Sequence, residues 1–346
     1  MELKKLYTED ITSLTAFGES RIGGRAENQD SYGWSNTPFG YVVAVCDGMG
    51  GGPGGKTASS IAVKEIIDSI CEAAKDEKIN NIIIKAIRKA NMAIIEAGNE
   101  DKKLKGMGST ATVLVVNEKS AVVAHVGDSR VYQLRNGKKV FRTFDHSMVF
   151  EMVKQGVITE EQARLSSQSN VITRALGIQP DLEVEVHEMP YEKGDRFVLC
   201  TDGIHGAIKE KDLIKMLSNK KRNAGAAIDD IATLVDNTGR SNGGGHDNMT
   251  LAMVEMNINS KLKAKMTKTG KKILLALVAC LAISIAVNVL QVKCGHYGEV
   301  KQLNDSIESV NGKNKALNDS ITKLNNTILE QESQLKVIKN IVNKNQ

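Results

Sequence analysis

The sequence predicts an α+β fold in which two antiparallel β-sheets pack together and helices cover their outer faces. Four runs rich in β-branched residues, "GSTATVLVV", "AVVAHV", "RVYQLRNG" and "KKVFRTF", follow one another with breaks of only a few residues. Such short breaks predict hairpins and therefore antiparallel strands. Two long stretches, at about 56–74 and 79–98, place apolar residues three and four positions apart, which predicts helices inserted between the strands.

Two further apolar runs complete the predicted sheets. "RFVLCT" and "NMTLAMVEM" read as strands, and the region from about 210 to 236 between them reads as helical. All these elements fall within residues 1–256, which are long enough to bury a full core. We therefore assign 1–256 to one globular domain.

Composition excludes some classes of partner. Aromatic residues make up 4% of the chain, too few for a base-stacking surface, and much of the net charge of +5 comes from one lysine-rich segment. We expect no nucleic-acid partner. The five cysteines are scattered and form no C-x-x-C pair, which predicts neither a disulfide framework nor a cysteine zinc site.

A membrane span is predicted after the globular domain. Residues 273–292, "ILLALVACLAISIAVNVLQV", carry no charge, and a helix of this length covers about 30 Å, the thickness of a bilayer core. The alternative is a buried core helix, although such helices seldom lack a polar face over this length. The linker 257–272 contains "KLKAKMTKTGKK", and positive flanks stay in the cytoplasm. The sequence thus predicts a single-pass protein of the cell membrane, with its N-terminal domain in the cytoplasm and 293–346 outside.

The tail 293–346 has a seven-residue repeat of apolar positions, which predicts a coiled coil. Aliphatic residues, mostly β-branched at the first position, favour a coiled coil of two parallel helices. Asn314 at a seam position favours a single alignment of the two helices. We therefore expect a homodimer through this tail. The alternative is a disordered polar tail, because Asn, Ser and Lys are frequent there. The first seam position is occupied by Val300, Ile307, Asn314, Ile321, Ile328, Leu335 and Val342, and the second by Leu303, Val310, Leu317, Leu324, Gln331 and Ile338.

Five aspartates of the globular domain lie in similar local sequences, at strand ends or in turns beside Gly or Asn. Asp47 in "VCDGMGG" and Asp202 in "LCTDG" end apolar strands, and Asp247 in "GGGHDNMT" precedes the last strand. Asp128 lies in the turn "VGDSR", and Asp30 lies in "RAENQD" near the start of the domain. Strand ends are rigid, and several can meet at one edge of a sheet. A group of like charges is costly unless a cation neutralises it, and hard oxygen ligands suit Mg²⁺ or Mn²⁺.

The motifs that carry these aspartates resemble those of a known family. "RAENQD", "VCDGMGG", "GSTAT", "VGDSRVY", "LCTDG" and "DNMT" occur in the order, and at about the spacing, of the type-2C, metal-dependent (PPM) serine/threonine protein phosphatases. The resemblance covers about residues 14–256 and is strongest to the compact bacterial members. It implies a sandwich of two antiparallel sheets flanked by helices, and hydrolysis of phosphoserine and phosphothreonine in proteins.

The resemblance also implies two divalent cations, manganese or magnesium, with a possible third. Asp47 would bridge the two ions, and the Gly48 carbonyl would bind the second. Asp202 and Asp247 would hold the first ion, and Asp128 would help to bind a third. Two such ions acidify a bridging water and clamp the phosphoryl oxygens.

Two further residues take roles by the same resemblance. Arg25 would bind the substrate phosphate with its planar guanidinium, and Asp30 would orient metal-bound water. The sequence departs from the family pattern at three positions. Met49 stands where many animal members have histidine, Gln29 where some have glutamate, and Gly206 where the family often has Asp or Asn. The first departure leaves solvent as the proton donor, and the last weakens the third cation site.

Two other functions compete with this hypothesis. "GGGPGGKT" satisfies the phosphate-loop pattern G-x-x-x-x-G-K-[ST], in which Lys56 and Thr57 would contact a nucleotide. That fold needs parallel strands, whereas the tight breaks predict antiparallel ones. The domain could instead be a non-catalytic sensor that binds phosphoprotein without cleaving it, although Asp47, Asp202 and Asp247 are all present. Family members commonly oppose serine/threonine kinases, so a kinase or its targets are candidate substrates by analogy.

Overall fold

Two compact units make up the chain, Met1–Ala264 and Lys265–Gln346. The computed structural model describes residues 4–6, 13–50, 53–220, 222–262, 283 and 302–323.

The strands of the first unit form two sheets in which every pair is antiparallel. They are β1 Lys4–Leu6, β2 Leu14–Arg21, β3 Asp30–Thr37, β4 Gly40–Met49, β5 Gly108–Ser109, β6 Ala111–Val116, β7 Ala121–Val126, β8 Arg130–Arg135, β9 Lys138–Arg142, β10 Glu185–Met189, β11 Arg196–Cys200 and β12 Met249–Met256. The first sheet has the order β1-β2-β12-β11-β8-β9, and the second has the order β10-β7-β6-β4-β3, with β5 paired to β4. The predicted pair of antiparallel sheets is thus confirmed.

Helices cover the outer face of each sheet. They are α1 Gly54–Glu72, α2 Ile79–Glu100, α3 Met148–Lys154, α4 Glu160–Arg164, α5 Asp202–His205, α6 Glu210–Leu217 and α7 Ala224–Ser241, with a short 3-10 turn at Lys102–Leu104. The apolar faces of α1 and α2 pack on the second sheet, and those of α6 and α7 pack on the first. The two long predicted helices are confirmed. The helical region predicted from 210 to 236 is two helices, because the chain turns and Asn223 caps α7 by accepting a hydrogen bond from the Ala226 N–H.

Alternate residues of β4 face opposite layers, as the two-residue period of a strand requires. Val42 and Ala44 pack with α1 and α2, whereas Val43 and Val45 pack between the sheets. The cluster between the sheets also contains Phe197 of β11. The order of layers is therefore helix, sheet, sheet, helix, and the sheet interface forms the centre of the core.

One predicted hairpin is wrong. The breaks between β6 and β7 and between β8 and β9 are hairpins, as expected, but β7 and β8 lie in different sheets. The "GDS" break therefore carries the chain from one sheet to the other. Gly127 has a φ of 99°, which other residues rarely adopt, and this conformation permits the sharp change of direction. Asp128 is consequently placed where the two sheets meet.

Part of the tail in the second unit is helical, over residues 302–323. The apolar seam positions on this helix are partly open, with Leu303 37%, Val310 51% and Leu317 60% exposed. Val300, the seam positions from Leu324 onward and nearly all of 273–292 fall outside the described residues. Within the described ranges, no helix combines the length and the apolar character needed to cross a bilayer. The membrane span and the coiled coil therefore both stay predictions.

Candidate active site

The five aspartates singled out in the sequence come from both sheets and meet at one edge of the sandwich. Asp47 is near the end of β4, and Asp30 begins β3 directly opposite it. Asp202 follows β11, Asp247 precedes β12, and Asp128 lies in the turn from β7 to β8. These strand ends converge because β8, β11 and β12 are adjacent in one sheet and β7, β6, β4 and β3 in the other.

The aspartates lie close enough to oppose one another's ionisation. Burial and then the charges of Asp202 and Asp247 raise the pKa of Asp30 to about 7. Burial and the charge of Asp247 raise the pKa of Asp202 to about 6, although a hydrogen bond with Asp47 partly offsets this. Burial, followed by nearby carboxylates, holds the pKa of Asp47 and of Asp128 well above the usual range. The ionised cluster is therefore unfavourable by itself.

Unpartnered oxygens show what the cluster fits. Asp30 Oδ1 and Asp202 Oδ1 are buried and accept no hydrogen bond. A buried carboxylate oxygen with no donor is costly, and a cation relieves that cost directly. Several converging carboxylates with free oxygens form a donor set suited to hard divalent cations such as Mg²⁺ and Mn²⁺.

Arg25 reaches the same cluster from the loop after β2. Its Nη2 donates a hydrogen bond to Asp247 Oδ2 at 2.8 Å. The Arg25 side chain is 51% exposed and that of Asp247 is 35% exposed, so the pair faces solvent. The guanidinium is therefore open to an anionic ligand arriving at the carboxylates.

Glycines next to two of the aspartates allow close backbone packing. A Cβ on Gly48 would lie 1.9 Å from the Gly55 carbonyl oxygen, and a Cβ on Gly203 would lie 1.9 Å from the Asn248 carbonyl oxygen. No other residue type fits at these positions unless the backbone moves. Gly48 donates its N–H to the Gln29 carbonyl at 3.2 Å, which ties the loop before β3 to the end of β4.

Three polar residues position the aspartates, and the sequence motifs alone predict no role for them. Thr201 donates to Asp30 Oδ2 at 2.9 Å. Thr110 accepts the Asp47 N–H at 2.9 Å and donates its own N–H to the Asp47 carbonyl at 2.8 Å. Asn248 accepts the Gln29 N–H, and its amide donates to carbonyls of the loop that carries Arg25. Thr201 and Asn248 are next to an aspartate in "LCTDG" and "DNMT", which was a signal available in the sequence, whereas "GSTAT" around Thr110 contains no aspartate.

The two histidines next to predicted ligands have local partners. His205 is buried, and its Nε2 lies 3.0 Å from the Asp128 carbonyl oxygen. The His246 Nε2 lies 2.9 Å from Asp236 Oδ1. His205 therefore supports the turn that carries Asp128, and His246 attaches its loop to α7.

Gly206, which lacks the carboxylate common in the family, contacts an arginine. Its N–H donates to the Asp202 carbonyl at 2.7 Å, and its carbonyl accepts from Arg164 Nη1 at 3.1 Å. Arg164 belongs to α4, in the segment between β9 and β10. The guanidinium of Arg164 is thus held against the main chain of residue 206.

Lys56 does not form a phosphate loop. Its Nζ donates to the Asp30 carbonyl at 2.8 Å and to Ser31 Oγ at 3.2 Å, so it joins α1 to β3. All the strand pairs in the described residues are antiparallel, whereas a phosphate-loop fold is built on parallel strands. The nucleotide-binding alternative is therefore not supported.

A cavity of about 380 Å³ opens beside the aspartates. Its lining includes Asp128, Asp202 and Asp247, together with residues of α7 and of the segment 145–178 between β9 and β10. The segment contains α3 and α4 and has its own small apolar cluster around Phe150. It can therefore shape the approach of a large substrate to the carboxylates.

Comparisons with known proteins agree with this geometry. A sequence model of the protein phosphatase 2C family matches residues 17–241. The serine/threonine phosphatase stp of Listeria innocua is 32% identical over 241 residues, covering 68% of this chain and 93% of that protein. The structure of the S. agalactiae serine/threonine phosphatase superposes with a TM-score of 0.64 at 29% identity, covering 70% of this chain and 99% of that one.

A third similar structure bears on the cofactor. The catalytic domain of the serine threonine protein phosphatase PstP, solved in complex with two manganese ions, superposes with a TM-score of 0.58 at 27% identity. It covers 70% of this chain and 98% of that one. Phosphatases of this family use two manganese or magnesium ions. Since the family match extends over more than half of the residues, the chain belongs to the protein phosphatase 2C (PPM) family and is a protein-serine/threonine phosphatase.

Proposed function

We propose that the five converging aspartates are the catalytic centre of a phosphatase for phosphoserine and phosphothreonine in proteins. The observation that carries this proposal is the burial of carboxylates beside one another with unpartnered oxygens. Asp47, the Gly48 carbonyl, Asp202 and Asp247 are the groups that would hold two cations. When bound, such cations lower the pKa of a shared water and neutralise charge on the phosphoryl oxygens.

The chain's own residues account for the remaining steps. Arg25 binds the phosphoryl group through its planar guanidinium and so orients it above the carboxylates. Asp30 accepts a hydrogen bond from the attacking water and holds it in line with the leaving oxygen. A bond forms between the water oxygen and phosphorus as the bond to the serine or threonine oxygen breaks, and the water releases one proton to solvent. Met49 offers no proton, so the leaving oxygen takes its proton from solvent.

A third cation would depend on Asp128. Its carboxylate lies near Asp202, which opposes its ionisation. Gly206 supplies no carboxylate, and Arg164 lies against its carbonyl. We therefore propose that the third site is weak, and that Asp128→Asn changes the concentration of Mn²⁺ needed for activity more than it changes the number of tightly bound ions.

Removal of Asp47 tests the catalytic proposal. The full chain should hydrolyse p-nitrophenyl phosphate and a phosphothreonine peptide in Mn²⁺, and EDTA should abolish both activities. Asp47→Asn should lower the rate at least 100-fold and reduce Mn²⁺ binding measured by calorimetry. Asp68→Asn, an exposed acid on α1, is the matched control and should leave both unchanged. A folded wild-type protein that binds phosphopeptide without turnover would instead indicate a non-catalytic sensor.

We also propose that the phosphatase domain is tethered to the cell membrane and faces the cytoplasm. The support is the uncharged sequence 273–292, with its lysine-rich flank at 261–272. In cell fractionation, full-length protein should sediment with membranes, and a version ending at 262 should not. Protease added to spheroplasts should remove the tail beyond 293 and spare the N-terminal domain. Full-length protein in the soluble fraction would contradict the tether.

The heptad supports a further proposal, dimerisation through the tail. Residues 302–323 are helical, and the seam residues Leu303, Val310 and Leu317 are open to a second copy. Crosslinking of full-length protein should give more dimer than a version ending at 295, and equal yields would remove the idea. Substrates such as a serine/threonine kinase or its targets are proposed by analogy with the family. Comparing the phosphoproteome with and without active enzyme would identify them.

A further inference from the structure

A second group of possible metal ligands, none of them an aspartate, lies at the edge of the second sheet. His125 of β7 and Glu185 of β10 face each other in register on neighbouring strands. The His146 ring stacks on that of His125, with centroids 4.5 Å apart and planes inclined by 19°. One ligand atom from each of these three residues lies within 4.8 Å of the other two.

His125 has a nitrogen lone pair that nothing in the described structure uses. Its Nε2 lies 2.9 Å from the Phe144 carbonyl oxygen. Because a carbonyl only accepts, Nε2 carries the ring proton and Nδ1 carries the lone pair. Nδ1 is buried with no hydrogen-bond partner, and the residue is 0% exposed. A histidine whose other nitrogen donates to a backbone carbonyl is the form in which histidine binds metals.

Glu185 supplies negative charge and an opening to solvent. Its two oxygens lie 3.2 Å from His146 Nε2 and 2.7 Å from His187 Nε2. The hydrogen bond with His146, followed by that with His187, lowers the pKa of Glu185 to about 2, so the carboxylate is ionised. Its side chain is 33% exposed, whereas that of His146 is 3% exposed. A cation can therefore enter past Glu185 and meet the buried rings.

His146 is the ligand that must rearrange, because its ring is nearly parallel to that of His125 and both rings can coordinate one cation in their own planes only if one of them tilts. Its Nδ1 accepts the Gly127 N–H at 3.2 Å, so the proton of the neutral ring is on Nε2, towards Glu185. A cation would replace that proton between His146 and Glu185. The ring proton would then move to Nδ1, so the hydrogen bonds of His146 with the Gly127 N–H and with Glu185 would both be lost. The coordinate bonds to the cation would have to offset the loss of these two hydrogen bonds.

We propose that His125, His146 and Glu185 form a binding site for a borderline transition cation such as Zn²⁺, separate from the aspartate centre. Two imidazoles and one carboxylate suit zinc, whereas manganese and magnesium prefer oxygen ligands. The fourth position faces the exposed side of Glu185, where water or His187 can complete a tetrahedron. The bound cation would cross-link β7, β10 and the start of the segment at 145–178.

Zinc retention by full-length protein tests this site independently of catalysis. Asp47→Asn, which disables the aspartate centre, should still retain about one Zn²⁺ per chain after desalting, as measured by mass spectrometry. Co²⁺ in its place should give the visible absorption bands of a nitrogen-ligated ion. His125→Gln or Glu185→Gln in that background should weaken Zn²⁺ binding at least tenfold. Glu183→Gln, which removes an exposed carboxylate two residues away, is the control and should bind normally.

Loss of zinc binding must be distinguished from loss of the fold. Folding of each variant is checked by its thermal transition without metal, and Glu185→Gln is the milder change because that side chain is partly exposed. Failure of Asp47→Asn to retain zinc would overturn the proposal. Equal retention of Zn²⁺ by Asp47→Asn and by the double variant Asp47→Asn, His125→Gln would also overturn the proposal. Neither result affects the phosphatase assignment, which depends on other residues.

Discussion

Asp30 and Asp47 lie directly opposite each other on the paired strands β3 and β4. Like charges in this position destabilise a sheet. The structure offsets part of the cost through Thr201, which donates to Asp30 Oδ2, while Asp30 Oδ1 has no partner. The two strands thus bring together charges that favour a proton or a cation between them. This pairing links the stability of the domain to its occupancy by metal.

Replacing Asp30 should show that its ionisation opposes folding of the metal-free protein. The pKa of Asp30 is raised from 3.8 to about 7, so its favourable neutral form is lost as the pH rises through 7. Asn keeps the shape and does not titrate. In EDTA, the stability of Asp30→Asn relative to wild type should increase by about 1 kcal/mol between pH 6 and pH 8. Urea unfolding at both pH values measures this, and an unchanged difference would contradict it.

Replacing Lys56 should separate the phosphatase from a nucleotide-binding protein. Because Lys56 donates to the Asp30 carbonyl and to Ser31, Lys56→Ala should cost about 1 kcal/mol of stability and leave most of the phosphatase activity. Lys64→Ala, at an exposed position on the same helix, is the control for removal of a charge. If the protein hydrolysed nucleoside triphosphates, and Lys56→Ala but not Lys64→Ala lost that activity, the phosphate-loop hypothesis would be supported again.

Adding one methyl group at Gly203 should disturb the aspartate cluster. The new Cβ would lie 1.9 Å from the Asn248 carbonyl oxygen, so the backbone between Asp202 and its neighbours must move. Gly203→Ala should destabilise the domain by about 1–3 kcal/mol and lower kcat at least tenfold. Gly312→Ala, where the methyl group meets no atom within 4 Å, should leave both unchanged. Thermal unfolding and phosphopeptide turnover are the measurements.

The ion pair between Arg130 and Asp145 should stabilise the base of the segment at 145–178. Two hydrogen bonds of 2.7 Å join them, and their side chains are 9% and 5% exposed. Asp145→Ala leaves the guanidinium buried without its partner, which should cost about 3–5 kcal/mol. Asp68→Ala breaks an exposed pair with Lys64 and should cost less than about 1 kcal/mol. Comparable losses in the two variants, measured by urea unfolding, would contradict the difference.

Local patterns in the sequence determined most of the helices and strands, the candidate site and the family. Apolar periodicity located α1 and α2, and β-branched runs located β6 to β9, because both signals come from residues close together in the chain. The recurrence of aspartate beside glycine or asparagine at strand ends, together with six short motifs, identified the candidate site and the family. The same signals did not assign roles to Thr110, Thr201 and Asn248, whose importance comes from their partners.

Only the tertiary structure decided which distant residues meet. The short break at Asp128 predicted a hairpin, but β7 and β8 lie in different sheets. The sheet that each strand joins depends on the residues that pack against it, and those residues are distant in the sequence. The opposition of Asp30 and Asp47 depends on strand register, and the grouping of His125, His146 and Glu185 depends on sheet order. Register and sheet order are set by packing between residues far apart in the chain, and no local pattern records that.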